Sequence, residues 1–256
     1  MKSDIKPFRM HNNIYFVGST AVSVHIIDTE EGLVMIDTGY PDMYEQILDS
    51  MKELNLDPAK ICAIIHSHGH IDHFGCTVKF RELSGAKTYI GRPDNDIANG
   101  KLNLSWADEI GIDGFELFDN DILIDDGDVF TFGKTKIRCV STPGHTDGVI
   151  SMFITNEDDD FVCAMHGGIG VNSMTREFLN QYGLSFDCRD NFRKGLHLLK
   201  NEHVDLVLGN HPQQNDTEGK LQKVLAGQSI INPDEWQNFL ITAEKRLDSL
   251  IEQEAE

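Results

Sequence analysis

Four histidines and one aspartate stand within eight residues, from His66 to His73. Imidazole nitrogen and carboxylate oxygen are ligands that zinc prefers, and a catalytic zinc site keeps one position for water. His68 and His70, two residues apart on an extended turn, could direct their rings at one ion. The adjacent Asp72 and His73 diverge, so they could reach a second ion. The pattern H-x-H-x-D-H therefore predicts two metal ions, and their remaining ligands must come from distant parts of the chain.

Two further histidines directly follow predicted strands, as the His66–His73 segment does. His145 lies in the turn STPGH after the strand TKIRCV, and His211 follows the strand VDLVL. In layered α/β proteins the ends of the strands share one rim, which is where sites are usually built. Three separate segments therefore supply the predicted metal ligands: His68, His70, Asp72, His73, His145 and His211.

Short strands and helices must position these side chains. Short apolar runs predict strands over 13–18, 21–28, 32–37, 61–67 and 87–91, and again over 128–133, 135–142, 149–155, 161–165 and 204–210. Apolar residues at helical spacing predict helices over 41–54, 74–83, 189–201, 217–226 and 233–252. Strand-rich halves that also contain helices predict two sheets packed face to face and flanked by helices.

Length and charge limit the organisation and the partners. The 256 residues lie at the upper end of what one hydrophobic core supports, so we expect a single domain over 1–256. Asp and Glu number 42 against 22 Lys and Arg, which gives a net charge of −20. Such a surface repels nucleic acids and anionic membranes, so neither is an expected partner. A small-molecule substrate is the expected partner, and the oligomeric state stays open.

The sequence favours a cytoplasmic location. No run approaches the roughly 20 apolar residues that span a bilayer. The N-terminal segment MKSDIKPFRMHN lacks the apolar centre of a secretory leader. The five cysteines are odd in number and include no C-x-x-C pair, which favours reduced thiols. A secreted form whose start has been trimmed is the alternative.

The six predicted ligands resemble, in type and chain order, the metal-binding positions of the metallo-β-lactamase superfamily. The segment GLVMIDTGYP, with Asp37 and Gly39, is similar to a loop of that family. The segment DGDVFTFGKTKIRCVSTPGHTDGVISM is similar to the surroundings of the third histidine in the third subclass of metallo-β-lactamases. The resemblance runs from about Asn13 to Asn215 and implies a four-layer αββα sandwich with a zinc pair at one edge. It implies these ligands: His68, His70 and His145 for the first zinc, and Asp72, His73 and His211 for the second.

The resemblance implies a zinc-dependent hydrolase that attacks a carbonyl group, in a cyclic amide such as a β-lactam or in a related ester. Zinc lowers the pKa of a bound water to about 7, which supplies hydroxide at neutral pH. Asp72 is the one carboxylate certain to lie near this water. We therefore predict that Asp72 orients the nucleophile and takes part in proton transfer.

One position departs from relatives that act on thioesters and lactones. Glyoxalase II-like thioesterases and acyl-homoserine lactonases carry an aspartate that bridges both metals, just after the strand that corresponds to FVCAM. Here His166 follows that strand, and Asp158 to Asp160 precede it, roughly 16 Å away. The missing bridge favours the lactamase subclass, with a lactonase or thioesterase acting on an intracellular metabolite as the alternative. His166 could be a further ligand, a proton carrier or a residue that supports a ligand.

Two other classes of function are compatible with the predicted fold. Iron-dependent oxidoreductases of the superfamily include flavodiiron proteins, which are expected to carry more carboxylate ligands. Five histidines and one aspartate suit zinc better than di-iron chemistry. A non-catalytic metal-binding module should have lost ligands, yet all six positions are filled. Zinc-dependent hydrolysis is therefore the predicted function.

Overall fold

The structure is a computed structural model that describes residues 5–255. The ends of the predicted domain, including the first four residues of the N-terminal segment, lie outside the described residues. The strands of the described part are β1 (Phe8–His11), β2 (Ile14–Phe16), β3 (His25–Thr29), β4 (Gly32–Ile36), β5 (Ile61–Ile65), β6 (Lys87–Gly91), β7 (Ile122–Ile124), β8 (Val129–Phe132), β9 (Thr135–Ser141), β10 (Ile150–Asn156), β11 (Val162–Met165) and β12 (Leu206–Leu208). Its α-helices are α1 (Tyr44–Glu53), α2 (Ile71–Phe74), α3 (Thr77–Ser84), α4 (Asn95–Ala98), α5 (Ala107–Ile110), α6 (Arg176–Tyr182), α7 (Asp187–Leu199), α8 (Thr217–Leu225) and α9 (Glu235–Ala255).

The strands form two sheets. The first has the order β1-β2-β3-β4-β5-β6-β7, antiparallel as far as β4 and parallel from β4 to β7. The second has the order β12-β11-β10-β9-β8, in which β11 and β12 are parallel and the other neighbours antiparallel. The apolar runs GLVMI and ICAII form β4 and β5, as expected for parallel strands that are covered on both faces.

An apolar core fills the space between the two sheets. Ile36 and Ile65 of the first sheet pack in this core with Met152, Met165 and Leu208 of the second. Successive side chains of a strand point to opposite faces. The residues that alternate with these five therefore face outwards, towards the helices.

Helices cover the outer face of each sheet. Ile47 and Met51 of α1 pack with Phe80 of α3 against the first sheet. Phe192 of α7 and Trp236 of α9 pack against the second. Each of these helices buries an apolar stripe and leaves its polar face in water. This order of layers confirms the αββα sandwich that the sequence predicts.

The carboxyl ends of the central strands meet at one edge of the sandwich. In the first sheet β4, β5 and β6 are mutually parallel. In the second sheet β9 and β11 share a direction because both are antiparallel to β10, and β12 is parallel to β11. The loops that follow β5, β9 and β12 carry the predicted ligands and come together at this edge.

Some elements differ from the prediction. The edge strands β1 and β7, of four and three residues, were not predicted. The helix α6 was not predicted either, since its buried apolar residues are only Phe178 and Leu179. The helix predicted over 74–83 corresponds to α3, which begins three residues later, and the short helix α2 precedes it. Within residues 5–255, no helix combines the length and apolar character that a membrane crossing requires.

Candidate metal centre

The six predicted ligands form two clusters at the shared edge of the sheets. Within each cluster the candidate ligand atoms all lie within 4.8 Å of one another. Five of the six side chains are buried and His211 is half-buried. The first cluster consists of His68, His70 and His145, and the second cluster consists of Asp72, His73 and His211.

The turn after β5 separates the ligands of the two clusters. His70 directly precedes α2 in an extended conformation, with φ −88° and ψ 150°. Asp72 and His73 lie within α2 itself. Side chains of a helix leave the backbone in other directions than those of an extended segment. This change of conformation produces the divergence that the H-x-H-x-D-H spacing predicts.

Backbone carbonyl groups fix the ring orientation of three histidines. A carbonyl oxygen only accepts hydrogen bonds, so each Nδ1 carries the proton and each Nε2 presents a lone pair. Histidines that bind metals usually make such contacts with their other ring nitrogen. The pairs are His68 with Gly167 at 2.7 Å, His145 with Gly170 at 2.8 Å and His211 with Ala21 at 2.8 Å.

A buried carboxylate orients the fourth histidine, His73. Asp37 accepts hydrogen bonds from the backbone N–H of Ser67 at 2.7 Å, from Oγ of Ser67 at 2.8 Å and from Nδ1 of His73 at 2.8 Å. Asp37 has a φ of 59°, a conformation that costs a non-glycine residue about 1–3 kcal/mol. The three hydrogen bonds stabilise it there, and they leave Nε2 of His73 to face Asp72.

The distances between ligand atoms fit a shared metal ion. Nε2 of His73 lies 3.3 Å from Oδ2 of Asp72, yet it has no hydrogen-bond partner among the described residues. Nε2 of His211 lies 3.5 Å from the same oxygen. Nε2 of His68 lies 3.1 Å from Nδ1 of His70. Atoms that bind one tetrahedral zinc ion at 2.0–2.1 Å are about 3.3 Å apart. The donors and their spacing therefore fit an ion of this size.

The two clusters differ in charge. Burial and the neighbouring histidines hold the pKa values of His68 and His70 well below the ordinary value, so both rings are neutral. Burial also acts to lower the pKa of His73, but the charges of Asp72 and Asp37 outweigh it and raise that pKa to about 10. Burial opposes ionisation of Asp72, but His73 lowers the pKa of this carboxyl below its ordinary value. The second cluster therefore favours a positive charge, whether a proton or a metal ion carries it.

His166 lies outside both clusters. Its ring packs at a centroid distance of 6.1 Å from Phe192 of α7. Its Nδ1 accepts a hydrogen bond from the backbone N–H of Gly168 at 3.3 Å, and its Nε2 has no partner within residues 5–255. Burial, and then the nearby His145, lower the pKa of His166 to about 3, so this ring is neutral.

The three acids nearest in sequence to the bridging position lie at the far end of β11. Asp158, Asp159 and Asp160 are exposed and precede this strand. Asp158 forms an ion pair with Lys134 at 2.8 Å. The strand separates these carboxylates from the clusters, which lie at its carboxyl end.

Asp94 connects two loops of the first cluster and was not predicted from the sequence. Its buried carboxylate accepts hydrogen bonds from the backbone N–H groups of Gly69 at 2.7 Å and Gly148 at 2.8 Å. Oγ1 of Thr146, which directly follows His145, donates a third at 2.6 Å. Burial raises the pKa of Asp94 to about 6 against these hydrogen bonds. Asp94 comes three residues after β6, so the strand-end placement that predicted the six ligands could also have indicated this residue.

A cavity of about 160 Å³ is lined by residues of both clusters, and we term it the metal-site cavity. Trp106 forms part of its wall, with a φ of 67° and its ring centroid 5.6 Å from that of His70. The Trp106 ring also lies 4.7 Å from Phe178 of α6. Asn210 contributes a buried Oδ1 without a partner among the described residues. A hydrogen-bond donor of a bound molecule could pair with this oxygen.

Fold and clusters together define a metal-binding protein built on an αββα sandwich. The sequence model of the metallo-β-lactamase superfamily matches residues 17–163, more than half of the chain. The chain therefore belongs to the metallo-β-lactamase superfamily. Among solved structures, it is similar to BJP-1, a subclass B3 metallo-β-lactamase of Bradyrhizobium japonicum, with a TM-score of 0.89 and 24% identity over 99% of this chain and 96% of that one. This likeness confirms the fold.

Two curated relatives match part of the chain. A protein of Aquifex aeolicus without a characterised function is 30% identical over 139 residues, which are 54% of this chain and 62% of that relative. YqgX of Bacillus subtilis, a probable metallo-hydrolase, is 27% identical over 161 residues, 60% of this chain and 71% of its own length. The chain thus spans less than two thirds of the first relative. Family membership and the two clusters support metal binding by this chain.

Proposed function

We propose that this protein is a hydrolase that holds two zinc ions and attacks the carbonyl group of a small molecule, either a cyclic amide such as a β-lactam or a related ester. The observation that carries the proposal is the convergence of six ligand side chains from three loops into two clusters. Neutral imidazoles predominate among them, which suits zinc better than iron. The cytoplasmic location and the single domain predicted from the sequence are part of the same proposal.

The chain's own residues would hold the ions, orient the water and limit its access. When bound, zinc lowers the pKa of a water ligand to about 7 and polarises a carbonyl oxygen. Asp72 is the carboxylate of the two clusters, so it would orient the attacking water and accept its proton. Trp106, beside His70, would exclude bulk water from one side of the metal-site cavity. The first cluster would hold one ion and the second cluster the other.

A lactonase or a glyoxalase II-like thioesterase that acts on an intracellular metabolite is the alternative within the same carbonyl chemistry. The residue after β11 is His166 and not a carboxylate, and Asp158 to Asp160 lie before the start of that strand, which supports the subclass without a bridging carboxylate. Lactams, lactones and thioesters differ in the atom that leaves the carbonyl carbon. A panel of the three classes therefore separates the proposal from its alternative.

The test combines metal analysis with this panel. Zinc-loaded protein should contain two zinc ions per chain and hydrolyse at least one class, and a chelator should abolish turnover until zinc is restored. His145→Ala should lower turnover by at least about a hundredfold, because the first cluster loses a ligand. His203→Ala, which changes an exposed histidine paired with Asp205, is the control. Iron in place of zinc after purification without added metal, or no zinc-dependent turnover with any class, would contradict the proposal.

A further inference from the structure

A second cavity, of about 320 Å³, adjoins the metal-site cavity, and we term it the side cavity. The two cavities share His70 and His145 of the first cluster. The volume lies within the range of about 300–1,000 Å³ that is common for small-molecule sites. The apolar side chains that line the side cavity include Ile97, Leu102, Leu104, Phe178, Leu179 and Leu184.

The charged groups of the side cavity are acidic. Asp147, in the loop of His145, and Asp187, at the start of α7, are exposed residues on its lining. Within the described part of the chain, neither cavity is lined by a lysine or an arginine. An anionic group in the side cavity would meet like charges, whereas an uncharged apolar chain would bury its surface against the leucines.

We propose that the side cavity binds an uncharged aliphatic chain on the acyl side of the substrate, while the carbonyl carbon lies beside His70 and His145. This proposal rests on the proposed hydrolase and specifies its substrate class. Favoured substrates carry an apolar acyl chain, and an acyl chain that ends in a carboxylate is disfavoured. In the ester reaction water adds to the acyl carbon and the bond to the alcohol oxygen breaks. The products are the carboxylate of the chain, the alcohol and one proton.

A series of p-nitrophenyl esters measures this preference, because the carbonyl and the leaving group stay constant. From acetate through butyrate to hexanoate, kcat/KM of the zinc-loaded protein should rise by about fourfold for each methylene. The adipate monoester, which has the chain length of the hexanoate but a terminal carboxylate, should react more slowly than the hexanoate ester. Equal kcat/KM across the series, or equal values for adipate and hexanoate, would overturn the proposal.

Two matched pairs of variants locate the effect in the side cavity. Leu184→Trp fills the cavity and should remove the rise with chain length, whereas Leu198→Trp, at an exposed position of α7, should retain it. Asp187→Lys should reduce the difference in kcat/KM between the adipate and hexanoate esters. Asp190→Lys, exposed on the same helix but away from the cavity, should leave this difference unchanged. The same result for both members of a pair would overturn the proposal.

A binding measurement separates this proposal from the proposed function. Octanamide should bind to chelator-treated protein in calorimetry with a negative heat-capacity change, and octanoate should bind more weakly. Leu184→Trp should weaken octanamide binding. If no class of the panel is hydrolysed but octanamide binds in this way, the proposed function fails while the assignment of the side cavity is retained. Absence of octanamide binding, or unchanged binding by Leu184→Trp, would overturn the assignment of the side cavity.

Discussion

His73 lies between two carboxylates that act on its two ring nitrogens. Asp37 accepts the hydrogen bond of Nδ1, and Asp72 faces Nε2 at 3.3 Å. The first contact determines where the lone pair of the ring points, and the second adds the negative charge that a cation requires. Only the second acid stands in the H-x-H-x-D-H pattern. The role of Asp37 therefore becomes visible only through the contacts that the fold creates.

Asp37→Asn should weaken binding of zinc at the second cluster by about 10- to 100-fold. The amide has nearly the same volume as the carboxylate, but it lacks the negative charge and the second acceptor oxygen that the three donors need. The ring of His73 therefore loses its fixed orientation. Competition with a chelator of known affinity measures the change. Asp42→Asn, an exposed carboxylate in the same loop, is the matched control. Equal affinity in the two variants would show that Asp37 does not orient the ligand.

Residue type and strand-end placement were sufficient to predict the six side chains that form the two clusters. Metal binding demands particular atoms, and these are visible in the sequence as histidine and aspartate. His166 shows the limit of the same reasoning, because it also follows a strand. Side chains alternate along β11, so Met165 turns to the core between the sheets and His166 turns towards Phe192. His166 is therefore outside both clusters because of the side of the sheet that its side chain faces, although its place after a strand is the same as that of the predicted ligands.

At the scale of elements, the loops after β5, β6 and β9 are held together by one buried side chain. Asp94 follows β6 and binds backbone N–H groups in the other two loops. Gly69 and Gly148, the residues it contacts, have little room for a side chain, since a Cβ would lie 3.0 and 2.5 Å from atoms of Asp94. The spacing of the first cluster therefore depends on this contact between loops.

Asp94→Ala should lower the free energy of unfolding by at least about 1–3 kcal/mol, because two buried N–H groups lose their acceptor. Urea unfolding in the presence of a chelator measures this loss, and zinc competition should show weaker binding at the first cluster. Asp96→Ala removes a neighbouring carboxylate whose exposed pair with Lys101 contributes little. If Asp94→Ala behaves like this control in both measurements, the carboxylate does not hold the loops.

The sequence predicted the central elements well and the peripheral ones poorly. The strands β4, β5 and β10 and the helices α1 and α9 have apolar patterns long enough to identify, because they bury a face against the core. The strands β1 and β7 lie at the edges of a sheet and were missed. The helix α6 was missed although it supplies Phe178, which contacts Trp106. Part of the cavity lining thus comes from a segment whose sequence pattern is too weak to predict its secondary structure.

At the scale of the whole molecule, several buried histidines are neutral, and each has at least one ring nitrogen without a hydrogen-bond partner among the described residues. His25 is completely buried, packs against Phe16 and has no partner for either ring nitrogen among the described residues. Burial lowers its pKa from 6.5 to about 3. Burial likewise lowers the pKa of His66 to about 4. Each such ring takes up a proton only when the chain unfolds, so acid should destabilise the fold.

The pH dependence of His25→Leu tests this expectation. Because the folded pKa of His25 lies below the unfolded value, the unfolded chain binds the extra proton, and stability is lost as pH falls from 6.5 towards 3. In this range, each fall of one pH unit lowers the free energy of unfolding by about 1.4 kcal/mol for one such ring. Urea unfolding in the presence of a chelator measures this effect. Between pH 7 and pH 5 the free energy of unfolding of the variant should fall by about 2 kcal/mol less than that of the parent protein. His203→Leu, at an exposed position, is the control, and an identical loss in the variant and the parent would contradict the expectation.

The ring of Trp106 beside His70 has an optical consequence. The chain contains two tryptophans, and the other, Trp236, is fully buried with its Nε1–H donated to the carbonyl of Leu199 at 3.1 Å. Trp236 lies in the outer helical layer, so its fluorescence should hardly respond to events at the sheet edge. Emission from the Trp106 indole should change when an ion or an organic molecule arrives next to it. The protein therefore carries an intrinsic reporter of occupancy that needs no dye.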